Sequence, residues 1–95
     1  MSAKEKFNEF RKLCKEGLRL RLKLTEANKL DEIRERIAEA YEEFLQELPE
    51  DRRNDTLVIL SSKAHPHNII PRTEIPRLIR EDDKFFEIVL KVYGR

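Results

Sequence analysis

Residues 17–28, GLRLRLKLTEAN, constrain the fold more than any other stretch of the chain. Leu18, Leu20, Leu22 and Leu24 alternate with Arg19, Arg21 and Lys23. A period of two is the signature of a strand with one face buried and the other turned outward. The outward face of such a strand is a row of three cations, and cations side by side repel one another. The rival reading is a helix that runs on through Gly17. It stacks Leu18 on Leu22 and Leu20 on Leu24, but glycine inside a helix costs about 1 kcal/mol against alanine. It also points the leucines to two sides. The alternation therefore predicts a strand over 18–24, with Gly17 as the stop of a preceding helix.

The flanking elements follow from caps and periodicity. Ser2 and Glu5 have the spacing of a capping box. Phe7, Phe10, Leu13 and Cys14 then recur at helical spacing, which predicts a helix over 3–16. Leu30, Ile33, Ile37, Tyr41, Phe44 and Leu48 form the apolar stripe of a second helix over 28–48, ended by Pro49. Residues 52–55 read as a turn, and the apolar run TLVILSS (56–62) as a central strand. Residues 63–71 read as a loop. Thr73 can cap a short helix, EIPRLIRE, with Pro76 in the permissive first turn. After a turn at 82–84, residues 85–93 alternate as a last strand. Phe86, Ile88, Leu90 and Val92 make one face; Phe85, Glu87, Val89, Lys91 and Tyr93 make the other. The order is α-β-α-β-short α-β. This predicts a single α+β domain over residues 1–95, a small mixed sheet of about three strands with two main helices on one face. The first two strands would be parallel, joined by a right-handed crossover.

Charge is distributed in blocks. Residues 1–24 hold eight Lys/Arg against three Asp/Glu, residues 25–51 three against ten, and residues 52–80 six against two. The overall charge of +1 hides this basic–acidic–basic arrangement, which matters more for partners than the total. A charged fraction of 41% with only two glycines suits a heat-adapted or a redesigned chain. One cysteine, Cys14, leaves no internal disulfide and points to the reducing cytosol. No apolar run reaches membrane-spanning length, and the start, MSAKEKF, lacks a signal-peptide core. The expected protein is soluble and cytoplasmic, without a membrane partner.

No strong catalytic, metal or nucleotide motif is present, so a non-enzymatic binding module without a cofactor is expected. The sheet face left uncovered by helices would mix Arg19, Arg21, Lys23 and Lys91 with Phe85 and Tyr93. Single-stranded nucleic acid, RNA above all, binds such faces through stacked bases and paired phosphates. Arg72, Arg77 and Arg80 flank a short proline-rich segment that can form an arm gripping a phosphate backbone or an acidic partner, or an ordinary solvated loop. Lys4, Lys6, Arg11, Lys12 and Lys15 on the first helix can extend that surface or form an ordinary solvated face. The alternative is a protein-interaction or regulatory module that buries the same sheet face in a homodimer. Against a general nucleic-acid coat stands the isoelectric point, near 7.9 where strong binders exceed about 9. His65 and His67 form an H-P-H pair suited to a metal or a proton shuttle, or to a proline-stiffened loop with incidental histidines. Cys14, on the apolar stripe, reads as a small buried hydrophobe.

Overall fold

The computed structural model describes residues 2–21, 27–53, 55–59 and 68–95. Its elements are α1 (Ala3–Arg21), α2 (Ala27–Glu47), α3 (Glu50–Arg53), β1 (Thr56–Ile59), β2 (Asn68–Pro71), a 3-10 turn (Arg72–Glu74), α4 (Ile75–Glu81) and α5 (Asp83–Tyr93). The fold is mostly helical, not a three-stranded α+β sheet with helices on one face. Its described strands form one two-stranded antiparallel ribbon, in which Leu57 pairs with Ile70 and Val58 with Ile69. Among the described residues, no parallel crossover joins strands and Thr56–Ile59 has one strand neighbour, so it is an edge and not a central strand there.

The start of α1 follows the cap in the sequence: the Glu5 amide donates to Ser2 Oγ at 3.2 Å. The helix does not stop at Gly17. It continues to Arg21, so the expected strand over 18–24 is helical as far as it is described; residues 22–26, with Lys23, lie outside the described residues. The reason lies in packing. A Cβ built on Gly17 would stand 2.8 Å from Leu90 Cδ2, 3.3 Å from Ile37 Cδ1 and 3.6 Å from Ile33 Cγ2. The missing side chain lets α1 approach α2 and α5 closely, and the burial this permits offsets the helix propensity lost. Gly17 has no positive φ, so it is a packing position and not a left-handed stop.

α2 follows its predicted stripe. Ile33, Ile37, Tyr41 and Phe44 are buried, and Leu30, Leu45 and Leu48 pack at the margin. Past its end, Arg53 donates through Nε to the Leu48 carbonyl and through Nη2 to the Gln46 carbonyl, both at 2.9 Å, satisfying acceptors the helix leaves open. The ribbon is closed at its base by the Arg72 amide donating to the Asp55 carbonyl at 2.9 Å. Residues 68–71, expected as loop, are its second strand. The short helix near Pro76 forms, but Glu74 occupies its N-cap position without a side-chain cap, so Thr73 does not cap it.

The other large departure is α5, where residues 85–93 are helical and not the last strand. Asp82 ends α4 and caps α5, its Oδ1 accepting from the Phe85 amide at 3.0 Å. Phe85, Phe86, Val89 and Leu90 are buried, an i, i+1, i+4, i+5 pattern that only a helix places on one face.

α1 and α2 run antiparallel, with Phe10 against Tyr41 (ring centroids 5.0 Å apart) and Phe7 against Phe44 (5.0 Å). α5 runs antiparallel to α1: Arg21 pairs with Glu87, Gly17 meets Leu90, and Gly94 lies on the Cys14 carbonyl. α4 packs on α2, held by Arg80, whose Nη2 lies 2.9 Å from Glu35 and 2.6 Å from Glu42. Ile75 and Ile79 of α4 complete the core with Cys14, Val89 and Leu90.

Candidate nucleic-acid interface

The residues expected to share an open sheet face are dispersed by the helical fold. Phe85 is a core residue, 4% exposed. Tyr93 is half-buried in an aromatic cluster, 5.3 Å from Phe10 and 5.7 Å from Phe7 between ring centroids. Arg21, at the end of α1, is paired with Glu87. Lys91 is exposed on α5. Arg72 lies at the base of the ribbon with its guanidinium carbon 5.8 Å over the Phe44 ring, and its Nε is buried. Arg77 is held on α4 between Glu74 (2.7 Å) and Glu81 (3.1 Å), whose carboxylates push its pKa further up. Lys23 lies outside the described residues; of the other seven expected site residues, Arg19 shares an exposed helix face with Lys4, Arg11, Lys12 and Lys15. His65 and His67 lie outside the described residues; among those described, no group of three His, Cys, Asp or Glu side chains is placed to hold a metal ion.

A different surface is built by α1. Its core side is fixed by Phe10, Cys14, Gly17 and Leu20, all buried. At about 100° per residue, Lys4, Asn8, Arg11, Lys12, Lys15 and Arg19 fall within an arc of roughly 100° on the opposite side. All six are exposed. Lys4 and Arg19 are separated by roughly 22 Å along the axis, from the rise of 1.5 Å per residue. Among the described residues, Lys4, Arg11, Lys12 and Lys15 form no ion pair. Arg19 meets Glu16 at 3.8 Å with side chains 68% and 48% exposed, a contact that solvent and salt weaken to almost nothing. Lys6 is not part of this row. It turns toward α2, where Glu43 at 3.1 Å raises its pKa above the usual lysine range.

The acids of α1, Glu5, Glu9 and Glu16, lie beside this row and not within it, and the larger acidic set is on α2. Glu32, Glu39 and Glu47 are exposed along α2, so the acidic middle block of the sequence becomes the outer surface of the neighbouring helix. The two surfaces meet at one end in a shallow groove between α1 and α2, lined by Arg19, Arg36 and Lys29 together with Glu16 and Glu32. Cations from two helices thus continue the α1 row at its C-terminal end. The helical spacing of Lys4, Arg11, Lys15 and Arg19 was the available signal in the sequence for this surface; assigning 18–24 to a strand cut the row short.

The remaining chemistry-bearing groups are interior. Cys14 is fully buried, and burial pushes its thiol up to about 12. Tyr41 is fully buried, its pKa raised by the same cause. Val92 is the only large apolar side chain among the described residues that is exposed, at 45%. No helix among them is long and apolar enough to cross a membrane. Compared with known protein families, with curated proteins and with solved structures, the chain matches none.

Proposed function

We propose that the protein is a non-enzymatic nucleic-acid-binding module that holds phosphate backbones on the outer face of α1. The observation that carries this reading is the row of Lys4, Arg11, Lys12, Lys15 and Arg19, exposed, on one arc, and almost free of acidic partners. Exposed cations of one sign raise their own energy by mutual repulsion, and a polyanion relieves it. Phosphates exchange condensed counterions for these side chains, which supplies sequence-independent affinity. With about five contacts and a nearly neutral protein, dissociation constants in the range of roughly 10⁻⁴–10⁻⁶ M at physiological salt are expected.

A second copy of this chain is the competing occupant. Its support is weaker, since the face offers no apolar centre of the kind that stable dimers bury and Val92 lies on a different helix. Fluorescence anisotropy of a labelled mixed-sequence oligonucleotide at low salt tests the proposal. Wild type binds, and Arg11→Glu with Lys15→Glu abolishes binding while the helical circular dichroism is retained. Equal binding by wild type and the double variant would sink the assignment of the face. Light scattering run in parallel detects a dimer; one that the same double variant dissociates, without nucleic-acid binding, installs the alternative.

A further inference from the structure

We infer that the α1 face takes double-helical DNA in preference to single strands or duplex RNA, an inference that rests on the nucleic-acid reading above. The first observation concerns the aromatic rings. Binding of single strands draws much of its energy from bases stacked on exposed rings. This chain has five Phe and two Tyr, of which five are buried and two half-buried. Phe10, Tyr41, Phe44, Phe85 and Phe86 are buried. Phe7 and Tyr93 are half-buried, set edge-on to each other at 5.7 Å and engaged with Phe10. A single strand on α1 therefore meets cations and no stacking platform. Ordering a flexible chain costs entropy, and the stacking that usually offsets it is absent.

The second observation is shape. α1 is a helix of 19 residues with this row of cations on one side. A helix with its side chains is about 10–12 Å across, and the major groove of B-form DNA is about 12 Å wide. The row has two edges. Lys4, Arg11 and Lys15 form one, and Lys12 and Arg19 the other. Lys12 and Arg11 are consecutive, so they leave the axis about 100° apart. Long side chains diverging by that angle reach phosphates on both walls of a groove. The deep, narrow major groove of A-form RNA does not admit a helix. Duplex DNA also carries one charge per about 1.7 Å of axis against 3.4 Å for each of its strands, which favours it for the same set of cations.

The third observation limits the site. Glu5, Glu9 and Glu16 border the row on the side of α2, and Glu32, Glu39 and Glu47 lie beyond them. These acids confine a duplex to α1. A row of roughly 22 Å covers about six or seven base pairs at 3.4 Å each.

The test is anisotropy on four probes of equal length: a 16-base-pair mixed-sequence DNA duplex, one of its strands, the corresponding RNA duplex, and poly-glutamate. The DNA duplex is expected to bind at least about tenfold more tightly than the others, with a log–log salt slope near −3.6 to −4.5 for four to five contacts. Stoichiometric titration should give one protein per about seven base pairs. A single strand or RNA duplex that binds as tightly as duplex DNA overturns this inference and leaves the nucleic-acid reading intact. Poly-glutamate bound as tightly as duplex DNA, or no binding to any nucleic acid at low salt, overturns both.

Discussion

The close approach at Gly17 makes a prediction whose sign separates packing from helix propensity. Replacing a glycine in an open helix interior by alanine stabilises it by about 1 kcal/mol. Here the added methyl would stand 2.8 Å from Leu90 Cδ2 and 3.3 Å from Ile37 Cδ1, where contacts below 3.0 Å force a neighbour to move. The atoms met are the ends of side chains, but Leu90 and Ile37 are fully buried, so a shift of either pushes on other core side chains. Overpacking of this kind costs roughly 1–3 kcal/mol. Set against the propensity gain, Gly17→Ala should destabilise by about 0–2 kcal/mol, and each kcal/mol lowers the Tm of a domain this size by roughly 4–8 °C. A double-mutant cycle removes the ambiguity of a small net effect. Leu90→Val deletes the clashing Cδ2, so Gly17→Ala in that background should become neutral or stabilising. The coupling should be about 0.5–3 kcal/mol. Urea denaturation followed by circular dichroism measures all four corners. A gain of about 1 kcal/mol from Gly17→Ala in both backgrounds, with no coupling, would refute the helix crossing at this position.

Three further predictions concern the body of the fold. Arg34 donates to the Ile79 carbonyl at 2.5 Å, pairs with Asp83 at 2.8 Å and lies 4.8 Å over Phe86, so Arg34→Ala should cost roughly 1.5–3 kcal/mol in urea titrations and Arg34→Lys should recover little of it. Asp82→Ala removes the acceptor of the Phe85 amide and should cost about 1 kcal/mol by thermal denaturation, while Asp82→Ser should cost far less. Cys14 should resist iodoacetamide at pH 8.5 in the native protein and react once urea is added, as followed by mass spectrometry. The fold favours its neutral thiol, raising it from 9.0 to about 12, and burial raises Tyr41 and Tyr93 in the same direction. The stability this reflects is therefore whole below about pH 9 and lost as pH rises toward 12, visible as a falling Tm in an alkaline series.

The sequence was legible where one period had no rival. Leu30, Ile33, Ile37, Tyr41 and Phe44 fit only a helix, and α2 runs from Ala27 to Glu47 against an expected 28–48. The Ser2 cap, the burial of Cys14 and the short helix around Pro76 were readable for similar reasons. It was misleading where apolar residues satisfied two periods at once. In FFEIVLKVY, residues 86, 88, 90 and 92 alternate, yet 85, 86, 89 and 90 are the buried set. The deciding mark was Asp82, a good N-cap residue, which reads equally well as part of a turn. At 18–21 the decision rested on Gly17. Glycine at a helix end and glycine at a helix crossing look alike in a sequence, and only the presence of Leu90 opposite distinguishes them. These two segments carried the expected sheet, and the open face with its aromatic and basic residues depended on it. The cations of α1 were visible as a group, but their shared outward arc needed the helix to extend through Arg19.

The salt dependence of duplex binding in a series of neutralised variants separates phosphate contacts made by α1 from diffuse attraction to the whole protein. Each phosphate contact contributes about −0.9 to the log–log slope. Arg11→Gln, Lys15→Gln and Arg19→Gln should each flatten the slope by about 0.9, and the triple variant by about 2.7. Arg77→Gln, which removes a cation held on α4 between Glu74 and Glu81, should leave it unchanged. A slope that falls equally for Arg77→Gln and for the α1 variants, or that none of them moves, would contradict a phosphate-binding face on α1.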